Sequence, residues 1–278
     1  MAHKVPTSTL NNGIEMPQLG FGVFQVPPDE VVEPVRAALD CGYRLIDTAT
    51  LYGNEDGVGR AIAESGVPRD DIFVTTKVWN SDQGYDRTLQ AFDHSLKLLG
   101  LDVIDLYLIH WPTPDRDMYV DTWRALERIY ADGRARAIGV SNFTVAHLDR
   151  VVSEGTVVPA VNQIELHPGL PQDELRAANA RHGVVTEAWS PLGRGHGLLD
   201  RPEVVTIAAA HHRTPAQVVL RWHLQLGVVV IPKSMRPERI RENFDVFNFE
   251  LTGDEMALLS ALDGPGRVGP DPDAFNRA

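Results

Sequence analysis

The chain has 278 residues, is 43% hydrophobic and 23% charged, and carries a formal charge of −12 from 26 basic and 38 acidic residues. That balance disfavours binding to nucleic-acid backbones, which needs a basic face, and no apolar run is long enough to span a bilayer. The single cysteine, Cys41, excludes an internal disulfide and any cysteine-based metal cluster; with no apolar leader in residues 1–10, the expectation is a cytoplasmic protein.

Residues 7–10 and 13–15, around Asn12-Gly13, predict a small hairpin. After it, short apolar and β-branched runs alternate with segments of helical period. Strands are predicted at 18–22, 43–47, 72–78, 103–110, 135–140, 160–164, 184–188 and 228–231. Helices are predicted at 28–40, 87–99, 118–130, 144–152, 172–181 and 214–226, with Gly100, Gly133, Gly183 and Gly227 where helices should end. A terminal helix is predicted at 252–262, with Thr252 as N-cap and Glu255 three residues on. Eight strands, each followed by a helix, point to an α/β fold of the (β/α)8 barrel type, one domain over residues 1–278. The runner-up is an open doubly wound sheet. Apolar strands throughout suit either, since both bury their parallel strands on two faces.

In a barrel of this kind the site lies where the strands end. The polar residues closing the apolar runs are Asp47, Lys77, His110, Ser141 with Asn142, Gln163, Ser190, and Lys233 with Ser234. Any one of them alone is an ordinary loop residue. Seven strands ending this way would converge on one mouth. A second cluster, Lys233, Arg236, Arg239 and Arg241, gathers positive charge in an otherwise acidic chain, as an anionic cofactor would require. The dinucleotide fingerprint G-x-G-x-x-G is absent: Gly20-Phe21-Gly22 leads to Gln25, and Gly57-Val58-Gly59 to Ile62.

The runs LIDTATLYGNE (45–55), TTKVWN (75–80), LIHWP (108–112), GVSNF (139–143), NQIELHP (162–168), AWSPLG (188–193) and IPKS (231–234) make the chain resemble the aldo-keto reductase superfamily, in the family's order, from about residue 13 to residue 276. The closing DGPGRVGPDPDAFN (263–276) is similar to the tail of its short-tailed microbial branch, which includes the 2,5-diketo-D-gluconate reductases.

The resemblance implies a catalytic tetrad of Asp47, Tyr52, Lys77 and His110. Carbonyl reduction needs hydride at carbon and a proton at oxygen. Lys77 beside Tyr52 would lower the phenol's pKa, Asp47 would hold Lys77, and His110 would orient the carbonyl. The resemblance also implies NADPH/NADP as cofactor. Ser141, Asn142 and Gln163 would bind the carboxamide, Trp189 would stack on the nicotinamide ring, and Ser190 and Leu192 would touch the cofactor. Lys233, Ser234 and Arg239 would hold the 2′-phosphate, with Arg236 adding to it; Glu242 and Asn243 would meet adenine. The segment 193–197 would either fold over the pyrophosphate or serve as a flexible loop. Phe24, Trp79 and Trp111 would line an apolar substrate pocket, which the short tail would leave open.

No metal-ligand spacing occurs. The expected protein is a monomeric NADPH-dependent oxidoreductase that reduces aldehydes and ketones, its only partner a small carbonyl compound. Two alternatives stand beside it: a related barrel that binds cofactor without turnover, and a hydrolase or aldolase using Lys77 as a Schiff base.

Overall fold

The computed structural model describes residues 5–262 and 266–278. Residues 1–4, part of the start considered above, and 263–265, which open the closing tail, lie outside the described residues. In chain order the elements are β1 (Thr7–Thr9), β2 (Glu15–Pro17), β3 (Phe21–Gly22), α1 (Val32–Cys41), β4 (Leu45–Asp47), α2 (Glu55–Glu64), β5 (Phe73–Val78), α3 (Tyr85–Leu99), β6 (Ile104–Ile109), α4 (Tyr119–Ala131), β7 (Ala135–Ser141), α5 (Val145–Glu154), β8 (Val161–Glu165), α6 (Asp173–Arg181), β9 (Val185–Trp189), α7 (Pro202–Ala210), α8 (Pro215–Gln225), β10 (Val229–Val230), α9 (Pro237–Phe244) and α10 (Gly253–Ser260).

Strands β3 to β10 pair in sequence order, all parallel. The two edges then meet. Gly20 N donates to Val230 O at 2.8 Å, Val230 N to Gln18 O at 3.0 Å, and Gly22 N to Pro232 O at 3.1 Å; Leu19 and Val230 form a parallel bridge. The sheet is therefore closed, as the (β/α)8 prediction required, and the open doubly wound alternative falls.

Side chains alternate across each strand, and this sorts the core into two layers. Ile46, Val74, Tyr107, Ile109, Ile138, Val140, Ile164 and Val230 pack outward against the helices. Leu45, Phe73, Leu106, Leu108, Ala137, Val161 and Val229 fill the barrel interior together with Leu10 and Met16 of the hairpin, which closes the end where the strands begin. Moving two residues along each inward series reaches Asp47, Thr75 and then Lys77, His110, Gly139 and then Ser141, Gln163, and Glu187. The interior is thus apolar at one end and polar at the other.

The hairpin is shifted by up to two residues from its predicted place, pairing Thr7 with Pro17 and Thr9 with Glu15. The terminal helix has the expected cap: Thr252 Oγ1 accepts from Glu255 N at 3.2 Å and Glu255 Oε2 from Thr252 N at 2.8 Å. Three helices, α2, α7 and α9, escaped the sequence pattern, the last lying in the segment expected to hold the 2′-phosphate. In α2 two glycines, Gly57 and Gly59, obscure the helix, since an interior glycine costs about 1 kcal/mol relative to alanine. Gly59 is required there because a Cβ would stand 2.3 Å from Leu99 O. In α7, apart from Glu203, the run is small, apolar and β-branched, with no polar stripe to reveal its period.

Candidate active site

Two strand ends supply a buried ion pair. Lys77, last but one in β5, donates from Nζ to Asp47 Oδ1 at 2.7 Å, to Asp47 Oδ2 at 2.8 Å and to Thr48 O at 2.8 Å. Both side chains are buried. Burial pulls the ammonium's pKa down, but Asp47, Tyr52 and Glu187 outweigh it and leave Lys77 above the ordinary lysine range. The pair tolerates its dry setting because every ammonium hydrogen has an acceptor.

Tyr52 ends a short 3-10 turn, Thr50–Tyr52, immediately after β4. Thr50 Oγ1 donates to Lys77 O at 3.0 Å. Asn54 Nδ2 donates to Val23 O at 3.1 Å and Val26 O at 3.0 Å, tying the turn to the loop that carries Phe24. Lys77 Nζ lies 5.2 Å from the Tyr52 ring centroid. The phenol's pKa is pushed up to about 12, by burial first; Lys77 pulls it down, while Asp47 and Glu187 push it further up. The expected lowering by Lys77 is therefore present but overridden, and Tyr52 keeps its proton through neutral pH.

His110 follows β6 with its ring edge-on to Tyr52 (5.8 Å between centroids) and to Trp79 (5.1 Å). Burial, and then Lys77, hold it well below the usual histidine range, so the imidazole is neutral. Its Nδ1 is buried without a partner among the described residues.

Next to the pair, β7, β8 and β9 present a bonded shelf. Ser141 Oγ donates to Gln163 O at 2.8 Å. Asn142, in the left-handed region at φ 62°, donates from Nδ2 to His110 O at 3.0 Å and to Ser141 Oγ at 3.0 Å. Trp189 Nε1 donates to Asn142 Oδ1 at 2.8 Å, which fixes the indole. Gln163 Nε2 donates to Asp47 Oδ2 and to Glu187 Oε2, both at 2.8 Å. Ser190, half-buried, is left-handed at φ 50°, and Leu192 packs half-buried on the helix-side core.

The cationic cluster lies beyond β10. Lys233, Arg236 and Arg239 are exposed with no carboxylate partner among the described residues, whereas nearby Arg213 and Arg221 are paired with Asp245 and Glu250. Ser234 Oγ accepts from Arg236 N at 3.1 Å at the entry to α9. Glu242 Oε1 accepts from Thr214 Oγ1 at 2.7 Å, and Asn243 is buried.

Aromatic rings surround the mouth. Phe24, 40% exposed, stands 5.1 Å from Tyr52 and is capped by the Arg194 guanidinium at 5.6 Å, so the 193–197 segment reaches past β10 to the loop after β3. Trp111 packs against Trp189 at 6.4 Å. The closing tail reaches the same place. Phe275 lies 4.5 Å from Trp111 and 6.4 Å from Trp79. Buried Glu165 holds the tail by accepting Val268 N at 2.5 Å and Gly269 N at 2.9 Å, and a Cβ at Gly269 would stand 2.4 Å from the Trp189 ring. The tail is short, yet it packs against Trp79, Trp111 and Trp189 where an open mouth was expected. Among the described residues, no group of His, Cys, Asp or Glu is arranged to hold a metal, and no helix is long and apolar enough to cross a membrane.

A sequence model of the Aldo/keto reductase family matches residues 18–263. The chain belongs to that family. An aldo-keto reductase of Mycolicibacterium smegmatis is 57% identical over 271 residues, covering 98% of each chain. A glyoxal reductase of Bacillus subtilis is 54% identical over 268 residues, covering 96% of each. Among solved structures, a variant of Gox0644 in complex with NADPH superposes with a TM-score of 0.94 at 48% identity, covering 98% of this chain and 99% of that one.

In this aldo/keto reductase the strand-end reading found the residues that close each apolar run, and it missed three others at the mouth. Glu187 sits inside β9, but it shares the inward phase of Trp189, which is the signal that could have exposed it. Glu165 likewise shares the phase of Gln163. Phe275 carries no local signal, because its place depends on how the tail crosses the barrel.

Proposed function

We propose that the protein is an NADPH-dependent reductase of aldehydes and ketones in which Tyr52 gives the proton to the carbonyl oxygen. The observation that carries this reading is the juxtaposition of a proton-bearing Tyr52, a neutral His110 and the buried Lys77–Asp47 pair at one mouth.

The residues present fit the cofactor. Gln163 Oε1 has no partner among the described residues, and the indole of Trp189, on the adjacent strand, is held half-exposed by Asn142. Lys233, Arg236 and Arg239 are cations at a helix entry with no carboxylate partner among the described residues, which suits a phosphate dianion. When bound, NADPH supplies hydride to the carbonyl carbon. Tyr52 and His110 converge on the carbonyl oxygen, His110 as a neutral hydrogen-bond donor and Tyr52 as the acid. Lys77 stabilises the phenolate that remains, and Asp47 keeps Lys77 charged and aligned. Phe24, Trp79, Trp111 and Phe275 exclude water and set the width of the pocket. Ser190 and Leu192 border the cofactor, and Glu242 and Asn243 flank its adenine.

A Schiff-base role for Lys77 is disfavoured, because an ammonium bound to both oxygens of Asp47 and raised above the ordinary lysine range is no nucleophile. The test is nicotinamide absorbance with NADPH or NADH and a panel of aldehydes, ketones and dicarbonyls, the last included because a relative is a glyoxal reductase. NADPH oxidation that depends on the carbonyl supports the proposal. Binding without consumption across the panel favours a cofactor-binding protein, and no binding at all overturns both.

A further inference from the structure

We propose that Glu187 is a positioning residue for the nicotinamide: together with Asp47 it locks the Gln163 amide so that only its oxygen faces the cofactor. The inference rests on the NADPH reading above and deepens it.

Glu187 is fully buried in β9 and in register with Gln163 of β8. An amide nitrogen has two hydrogens, and those of Gln163 are committed to Asp47 Oδ2 and Glu187 Oε2, both at 2.8 Å. The flipped amide would turn Oε1 against the Asp47 carboxylate that Lys77 holds charged; Glu187 takes the second hydrogen, so the amide plane is pinned at two points. Gln163 therefore offers an acceptor at the mouth and no donor. The neighbours are already committed. The Ser141 hydroxyl hydrogen goes to Gln163 O, both Asn142 amide hydrogens go to His110 O and Ser141 Oγ, and Asn142 Oδ1 accepts from Trp189. Gln163 Oε1 is the free acceptor of the shelf, matched to the NH2 of a carboxamide.

The bond from Gln163 is also the single hydrogen bond that the Glu187 side chain makes among the described residues. Its other oxygen, Oε1, is buried with no partner. A buried carboxyl with half its bonding capacity unused is costly to keep. Its one connection leads to the cofactor shelf.

The experiment compares wild type, Glu187→Leu and Glu187→Gln by fluorescence titration with NADPH and with 2′-phospho-ADP-ribose, which lacks the nicotinamide. Glu187→Leu is expected to weaken NADPH about tenfold, the effect of one lost hydrogen bond, while leaving the fragment unchanged. Glu187→Gln is expected to restore NADPH binding, because its amide oxygen can accept from Gln163. In turnover, the NADPH KM of Glu187→Leu should rise more than its kcat falls. Wild-type NADPH affinity in Glu187→Leu, equal loss of NADPH and fragment, or failure of Glu187→Gln to rescue would each overturn the inference while leaving the NADPH reading intact. A wild type that binds the fragment but gains nothing from the nicotinamide would overturn both.

Discussion

Lys77 gives both oxygens of Asp47 a hydrogen bond, at 2.7 and 2.8 Å, at the polar end of the barrel interior, with both side chains buried. Removing one partner strands the other. Lys77→Met should destabilise the fold by about 3 kcal/mol in urea denaturation and abolish reduction. Adding Asp47→Leu should recover much of the stability and none of the activity. A loss below about 1 kcal/mol in the single variant would mean that the pair is more hydrated than its burial indicates.

Glu187 makes stability depend on pH. Its carboxyl is pushed up to about 8, by burial first and by Asp47 next, against about 4.3 in an unfolded chain. Between those values the folded state binds the proton that the unfolded state releases, so stability falls as pH rises through that window. Glu187→Gln removes this dependence. Relative to wild type it should gain stability on going from about pH 5 to about pH 8, measured by denaturant midpoint. A constant difference between the two proteins would contradict the assignment.

The exposed cations of the 233–239 segment predict cofactor choice. Arg239→Ala should raise the Kd for NADPH by roughly tenfold to a hundredfold and leave that for NADH nearly unchanged, since hydrogen bonds to charged groups exceed neutral ones. Equal losses for both cofactors would locate the 2′-phosphate contact elsewhere.

Phe275 packs on Trp111 at 4.5 Å, and in the proposed function it forms part of the substrate-pocket wall. Phe275→Ala should raise the KM for an aromatic aldehyde about fivefold, the scale of one lost aromatic contact, with NADPH affinity unchanged. A parallel loss of NADPH affinity would instead assign the tail to the cofactor side.

Much of the site was legible because a parallel barrel writes its mouth into the sequence as polar residues closing apolar runs. Asp47, Lys77, His110 and Gln163 were visible for that reason. What stayed hidden did so for particular physical reasons. Glu187 stands two residues before a strand end, where a charge inside an apolar run has no local partner to explain it. Phe275 acts from a tail whose path is set by contacts with Glu165, about a hundred residues away. Helix α2 hides behind Gly59, which the close approach of Leu99 demands. Lys77 was expected to lower the phenol's pKa; burial reversed the net shift, and burial is a property of the folded site.

The most direct test of the account compares wild type with Tyr52→Phe in NADPH oxidation by a reactive aldehyde, alongside NADPH binding by fluorescence. The account predicts that kcat falls at least about a hundredfold while NADPH affinity stays within about twofold, since losing a positioned general acid typically costs roughly a hundredfold to ten-thousandfold. Undiminished turnover in Tyr52→Phe would contradict it, because the proton would then come from another group.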